Sequence, residues 1–394
     1  MGSKKLVLFG AGKIGRSFIG QLFSRSGYEV VFVDIDETII SALNHRNKYQ
    51  VIIKSDKGDR ELWVKNVRGI HGAKIEMIAE EIATADIMAI SVGQKAIPFI
   101  ASTIAKGIEL RRQKYPDFPL DIILAENLRN AAKAVSGELN KHLDSSVEEE
   151  NYIGLIETSI GKMVPIMAAS AEEEDPLLVY AESYNTLILD QKAFKNPIPD
   201  VAGLAPKDNM SAWVDRKSFI HNLGHAAAAY YGFIKYPELK YLYEVMAKND
   251  VYETTRNTML QSADILMKAY PGEFTKGDLI AHIDDLMHRF GNKALGDTLF
   301  RVGQDLYRKL GPTDRLVGAL HLALKYRMPY DRILYIIACS IGFKATDEQK
   351  TQSESDRKFG MEAELGISHI LESVCKIDRG KYPHIHTEAN EIEI

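Results

Sequence analysis

Over the first third of the chain, short and nearly continuous apolar runs alternate with stretches whose apolar residues recur every three or four positions. Lys5-Leu-Val-Leu-Phe9, Glu29-Val-Val-Phe-Val-Asp34, Ile87-Met-Ala-Ile-Ser-Val92 and Leu120-Asp-Ile-Ile-Leu-Ala125 each read as a strand buried on both faces. Gly12 to Arg25, between the first two, has helical spacing. Gln50 to Val67 alternates around Asp56-Lys57-Gly58-Asp59 and predicts a hairpin. Apolar strands separated by helices predict a parallel sheet covered on both faces.

The pattern changes near Asp190. Phe194 to Asn209 holds Pro197, Pro199, Gly203 and Pro206 with little periodicity and reads as a linker. Beyond it, Ser211–Tyr231, Pro237–Tyr270, Lys276–Phe290, Asp297–Leu310, Asp314–Lys325 and Tyr330–Ile341 all show helical spacing. Gly232, Pro271-Gly272, Gly311-Pro312 and Pro329 punctuate them. The polar, acidic tail after Tyr382 is expected to fray.

Composition adds mainly exclusions. A length of 394 residues suits two to three domains, taking roughly 150 residues for each. Hydrophobic residues at 45% and charged residues at 26% rule out a disordered chain. A net charge of -5 gives no general electrostatic reason to expect a nucleic-acid partner. Cys339 and Cys375 are too few and too far apart for a disulfide framework or zinc module, which fits a reducing compartment. The longest uncharged apolar stretch, Ile333 to Phe343, falls short of the roughly 18 residues a membrane span needs. The N-terminus runs straight into a strand, and a cytoplasmic location is expected.

The first strand stops at Gly10-Ala11-Gly12-Lys13-Ile14-Gly15, a G-x-G-x-x-G loop that opens a helix. In that context the first glycine permits a tight turn, the second lets backbone amides approach a pyrophosphate, and the third lets helix and strand pack closely. Asp34 ends the second strand, where a carboxylate can bind both ribose hydroxyls of NAD; Ile35, Asp36 and Glu37 supply no cation for a 2′-phosphate. The expected architecture is α/β plus all-α. A Rossmann-type NAD-binding domain would span 1–195, and an all-helical substrate-binding domain would span 196–394.

Hydride transfer at an alcohol requires a base for the hydroxyl proton. The segment Asp215 to His225 offers one. With Lys217 as origin and about 100° per residue, His221 lies about 40° round the helix, His225 about 80° and Asn222 about 140°. One broad face thus gathers an amine, an amide and two imidazoles. A desolvated lysine can act as base, and an asparagine can hold an alkoxide. Asn127, just past a strand's carboxyl end, would supply a second amide there or merely cap the next helix. Lys217 could equally be a solvated surface charge, and each histidine a hydrogen-bonding residue at a domain boundary.

Phe9-Gly-Ala-Gly-Lys-Ile-Gly-Arg-Ser-Phe-Ile-Gly20, Glu126-Asn127, the segment Asp208 to His225 with its Lys-x4-Asn-x2-His spacing, and Arg301-Val-Gly, Arg308-Lys-Leu and Asp314-Arg-Leu316 together resemble the metal-independent long-chain polyol and mannitol dehydrogenases. The resemblance implies NAD as cofactor, no metal, Lys217 as general base, Asn127 and Asn222 as the alkoxide-stabilising pair, and His225 on a substrate hydroxyl. It implies interconversion of D-mannitol 1-phosphate and D-fructose 6-phosphate, or else a related polyol, uronate or aldonate reaction. Lys162 stands where the family usually has arginine, keeping the charge but losing the planar fork. Lys162, Arg216 and His221 are the expected substrate-binding residues, with Arg315 a further candidate for a phosphate.

Overall fold

A computed structural model describes residues 4–126, 128–144, 149–167 and 169–394. The chain forms two compact units, Met1–Val214 and Asp215–Ile394.

The first unit holds β1 (Lys5–Phe9), β2 (Glu29–Asp34), β3 (Lys48–Ile53), β4 (Arg60–Lys65), β5 (Val67–His71), β6 (Ile87–Ile90), β7 (Leu120–Leu124), β8 (Ile153–Ser159), β9 (Val179–Ala181), β10 (Leu187–Asp190) and β11 (Leu204–Lys207). The main sheet runs β11-β10-β8-β7-β6-β1-β2-β5. Pairing is parallel from β8 through to β5, and only β10 runs antiparallel to its neighbour β8. The side chains alternate as the pleat requires. Leu6, Leu8, Val30 and Phe32 join one core, while Val7, Phe9, Val31 and Val33 join the core of the opposite face. Both faces are therefore apolar, as the continuous runs predicted.

The chain winds outward from β1 to β2 and β5, then returns to β6 on the other side of β1. The order therefore reverses between β1 and β6, the place where open parallel sheets bind ligands beyond their carboxyl ends. The predicted hairpin is present as β3 and β4, with β9 added beside β3.

The linker expectation for Phe194 to Asn209 does not hold. Asn196 is fastened to Asp121 and to Pro119 O, and β11 pairs with β10. Pro206 fits there because β11 is an edge strand, where one missing N–H breaks no ladder bond on the open side. The first unit therefore continues past residue 195 to Val214.

Among the described residues, the regular elements of the second unit are all helices, apart from one isolated bridge. Its central helix, Leu223–Lys235, buries Ala226 to Ala229 completely. A methyl on Gly224 would come within 2.5 Å of Met259 Sδ, so a neighbouring helix packs directly on that backbone. Two predicted helices are interrupted. Pro237–Tyr270 divides into Leu242–Met246 and Asn249–Ala269. Asp297–Leu310 divides into Leu299–Gly303 and Leu306–Lys309, because Asp305 takes φ 70°. The Asp356 carboxylate accepts the Asp305 and Leu306 amides at the break.

The tail also departs from expectation. Pro383–Asn390 is a helix whose Ile385, His386 and Ala389 are buried. The His386 ring lies 2.8 Å from Ile377 O, an anchor no periodicity announces. Among the described residues, no helix is long and apolar enough to cross a membrane.

Candidate active site

The glycine loop sits at the reversal point of the first unit. Gly10 has φ +98°, and a side chain there would fall 2.1 Å from Ser91 O. A Cβ on Gly15 would lie 2.1 Å from Gly10 O, which is the close helix–strand approach the third glycine permits. At Gly12 a Cβ would meet nothing within 4 Å. Gly12 and Lys13 are exposed, while Ala11 and Gly15 are buried and Ile14 packs on the core. The crest of the loop is therefore open space beside bare backbone, the fit a pyrophosphate requires. The helical turn that follows, Gly15–Gly20, is of the π type.

Asp34 is held close to this loop. Its Oδ2 accepts the Ala11 amide at 2.6 Å and its Oδ1 accepts the Asp36 amide at 3.0 Å. Across β1, at the carboxyl ends of β6 and β7, the Glu126 carboxylate accepts the Val92 and Gly93 amides at 2.8 and 2.9 Å. Burial pushes the Glu126 carboxyl up, and these two bonds oppose the shift. Asn127 lies outside the described residues.

Lys162 has a different placement from the one its substrate role required. It is buried, and its ammonium donates to Glu182 O at 3.2 Å, Tyr184 O at 2.6 Å and Asn185 Oδ1 at 3.2 Å. It also lies over the Phe18 ring, at 5.1 Å from the centroid. Acceptors within the first unit already surround the charge, so Lys162 ties loops together. The structure does not bring it to an open substrate surface.

In the second unit the polar stripe is real, but its geometry is not that of a regular helix. Lys217–Asn222 forms a π turn leading into Leu223–Lys235. Bonds from residue i to i+5 bring residues five apart closer into line, so Lys217 and Asn222 lie nearer each other round the helix than α spacing would place them. Lys217 is half-buried. Burial first and the Arg315 cation next bring its pKa down to about 8, against the pull of Asp314.

His221 is buried, with its ring 5.1 Å from that of His225, and His225 stacks on Phe290 at 4.1 Å. Burial holds both imidazoles well below their ordinary range. For His221 the next causes are His225 and Arg289, and for His225 they are Arg315 and Arg289. Both rings are neutral at physiological pH. The His225 Nε2 is enclosed with no hydrogen-bond partner. An unmet buried polar atom costs about 1–3 kcal/mol, so this nitrogen stands out in the cluster. Arg216 is half-buried and near His282, whose pKa falls to about 3 through burial, Arg216 and Arg289.

Lys309, quoted only within Arg308-Lys-Leu, and Arg289 were not among the expected site residues. Lys309 is buried on the short helix Leu306–Lys309 and donates to Val302 O. Burial lowers its pKa to about 7, with Arg315 and Arg308 adding to the shift. Arg289 stands near the end of Lys276–Phe290, where a cation ordinarily faces the helix dipole. The one available signal was apolar company, Leu306 and Leu310 around Lys309 and Leu286, Met287 and Phe290 around Arg289.

The Rossmann-domain model of mannitol dehydrogenase matches residues 4–203, and its C-terminal-domain model matches 209–369. The chain belongs to the mannitol dehydrogenase family. This family member is an NAD-dependent dehydrogenase acting on a secondary alcohol. A mannitol-1-phosphate 5-dehydrogenase of Streptococcus mutans is 33% identical over 353 residues, 89% of this chain and 90% of that one. Among solved structures, a substrate-free D-sorbitol dehydrogenase superposes with a TM-score of 0.77 at 15% identity, covering 98% of this chain and 91% of the other. A mannitol 2-dehydrogenase of Pseudomonas fluorescens, solved with NAD and D-mannitol, gives 0.74 at 15% identity, covering 98% and 90%. These two likenesses concern the fold. Among the described residues, no three His, Cys, Asp or Glu side chains gather as metal ligands.

Proposed function

We propose that this member of the mannitol dehydrogenase family interconverts D-mannitol 1-phosphate and D-fructose 6-phosphate, with Lys217 as the general acid and base. The observation that carries the reading is Lys217 itself, a lysine brought to about 8 on one face with Asn222, beside neutral histidines and further cations. The curated relative from Streptococcus mutans supports the phosphorylated substrate.

Near neutral pH such a lysine exchanges a proton readily in either direction. In the oxidative direction, neutral Lys217 accepts the proton of the reacting hydroxyl. The Asn222 amide donates to the oxygen as negative charge gathers on it; a second amide from Asn127, outside the described residues, rests on the family resemblance alone. The enclosed Nε2 of His225 meets a neighbouring hydroxyl. Arg289 and Arg315 add a positive field suited to a phosphate ester; Arg216 and His221 complete the substrate side. NAD, held by Gly10 to Gly15 and Asp34, supplies the hydride acceptor when bound.

NADH oxidation would be followed with fructose 6-phosphate beside fructose and a panel of keto-uronates. The proposal expects turnover with fructose 6-phosphate and little with the others. Equal or greater activity on an unphosphorylated ketose or keto-uronate would overturn the substrate and retain the reaction type.

A further inference from the structure

The carboxyl ends of β2, β1, β6 and β7 are stitched into one rim. Gly10 N donates to Val33 O at 2.8 Å, Ser91 N to Phe9 O at 2.7 Å and Ala125 N to Ile90 O at 2.8 Å. Two carboxylates reinforce this rim on opposite sides of the glycine loop. Asp34, on β2, takes the Ala11 amide. Glu126, just past β7, takes the Val92 and Gly93 amides through a single oxygen, Oε1. Glu126 is 7% exposed. Gly93 has φ +85°, so its N–H is turned by a backbone conformation few other residues adopt.

A dinucleotide on such a sheet lies across the reversal point, its pyrophosphate at the glycine loop. Asp34 marks the adenosine half on the β2 side, so the nicotinamide half extends toward β6 and β7. That ring is cationic in NAD and neutral in NADH. A carboxylate anchored on that half attracts one oxidation state and not the other.

We propose that Glu126 is a positioning residue of the cofactor crevice: it fixes the Val92–Gly93 rim and sets the preference between oxidised and reduced cofactor. The inference rests on NAD binding in this crevice and is independent of which polyol reacts. Its dissection needs no turnover. Dissociation constants are measured for NADH by its fluorescence and for NAD by competition, in wild type, Glu126→Gln and Glu126→Asp.

Glutamine keeps an oxygen where Oε1 accepts both amides but removes the charge. It should leave NADH affinity within about twofold and weaken NAD roughly fivefold to tenfold. Aspartate keeps the charge but shortens the reach. It should weaken both forms while keeping their ratio near that of the wild type. A ratio of NAD to NADH affinity in Glu126→Gln within twofold of wild type, or shifted toward NAD, overturns the proposal. So does a Glu126→Asp ratio that falls as far as that of glutamine. Failure of wild type to bind NADH would instead remove the cofactor reading on which the proposal stands.

Discussion

The crevice of the first unit and the polar cluster of the second handle charge in opposite ways. In the crevice, the carboxylates of Asp34 and Glu126 each accept backbone amides. The main chain meets both carboxylates, and these bonds stiffen the loops. In the helical cluster burial shifts basic groups toward their neutral forms. Lys217, His221, His225 and Lys309 all have lowered pKa values, with burial first and neighbouring cations next. In the first arrangement the carboxylates find their partners in the main chain. The second retains an enclosed Nε2 on His225 without a partner. A binding crevice works by being preorganised, whereas an acid–base site needs a group poised near neutrality.

The largest way to break this contrast is Lys217→Ala. Turnover should fall by roughly two to four powers of ten while NADH affinity stays within a factor of about two. Parallel loss of cofactor binding would show that Lys217 matters for fold rather than for proton transfer.

Gly10→Ala attacks the other side. The positive φ and the approach to Ser91 O leave no room for a methyl. Thermal denaturation should show destabilisation of about 2 kcal/mol or more, with NADH binding lost. A stable variant that binds normally would mean that the loop yields easily.

Lys162→Met separates loop anchoring from substrate binding. Removing the donor leaves buried acceptors unmet, so stability should drop by about 1–3 kcal/mol. The KM for fructose 6-phosphate should hardly move; a large rise in KM at unchanged stability would restore Lys162 to the substrate.

The finest test is pH. Lys217 must be neutral to accept a proton, so polyol oxidation should rise with pH through about 8. Ketose reduction, which needs the protonated form, should fall over the same range. Because Arg315 lowers the lysine's pKa, Arg315→Gln should move both limbs to higher pH. Stability has its own sign. The folded pKa values of about 8 for Lys217 and about 7 for Lys309 lie below the ordinary lysine value of 10.5. The unfolded chain therefore binds more protons in that interval, and stability should increase as pH rises through it. In Lys309→Met, the increase measured by denaturant unfolding should shrink.

Much of the first unit was legible because its signals are local. A strand buried on both faces announces itself within five or six residues, and the Gly10–Gly15 loop carries its backbone demands in its glycines. The stripe from Lys217 to His225 was legible as a set of residue types at helical spacing. Its π turn was not, because no residue pattern distinguishes i+5 from i+4 bonding. Leu204–Lys207 and Pro383–Asn390 were misread for a related reason. Each has weak intrinsic preference and takes its form from a partner, β10 in one case and the Ile377 carbonyl in the other.

The sequence by itself determined the parallel sheet, the dinucleotide loop with Asp34, the helical second half and the residue types available for proton transfer. Only the tertiary structure decided what those groups are electrostatically. Lys162 and Lys309 are both lysines beside apolar residues. One ends up among backbone carbonyls, and the other near Arg315 and Arg308 with its pKa at about 7. Periodicity records which face of one element is buried. A pKa depends on burial and on charges brought from elements far apart in the chain, and no local pattern can contain that sum.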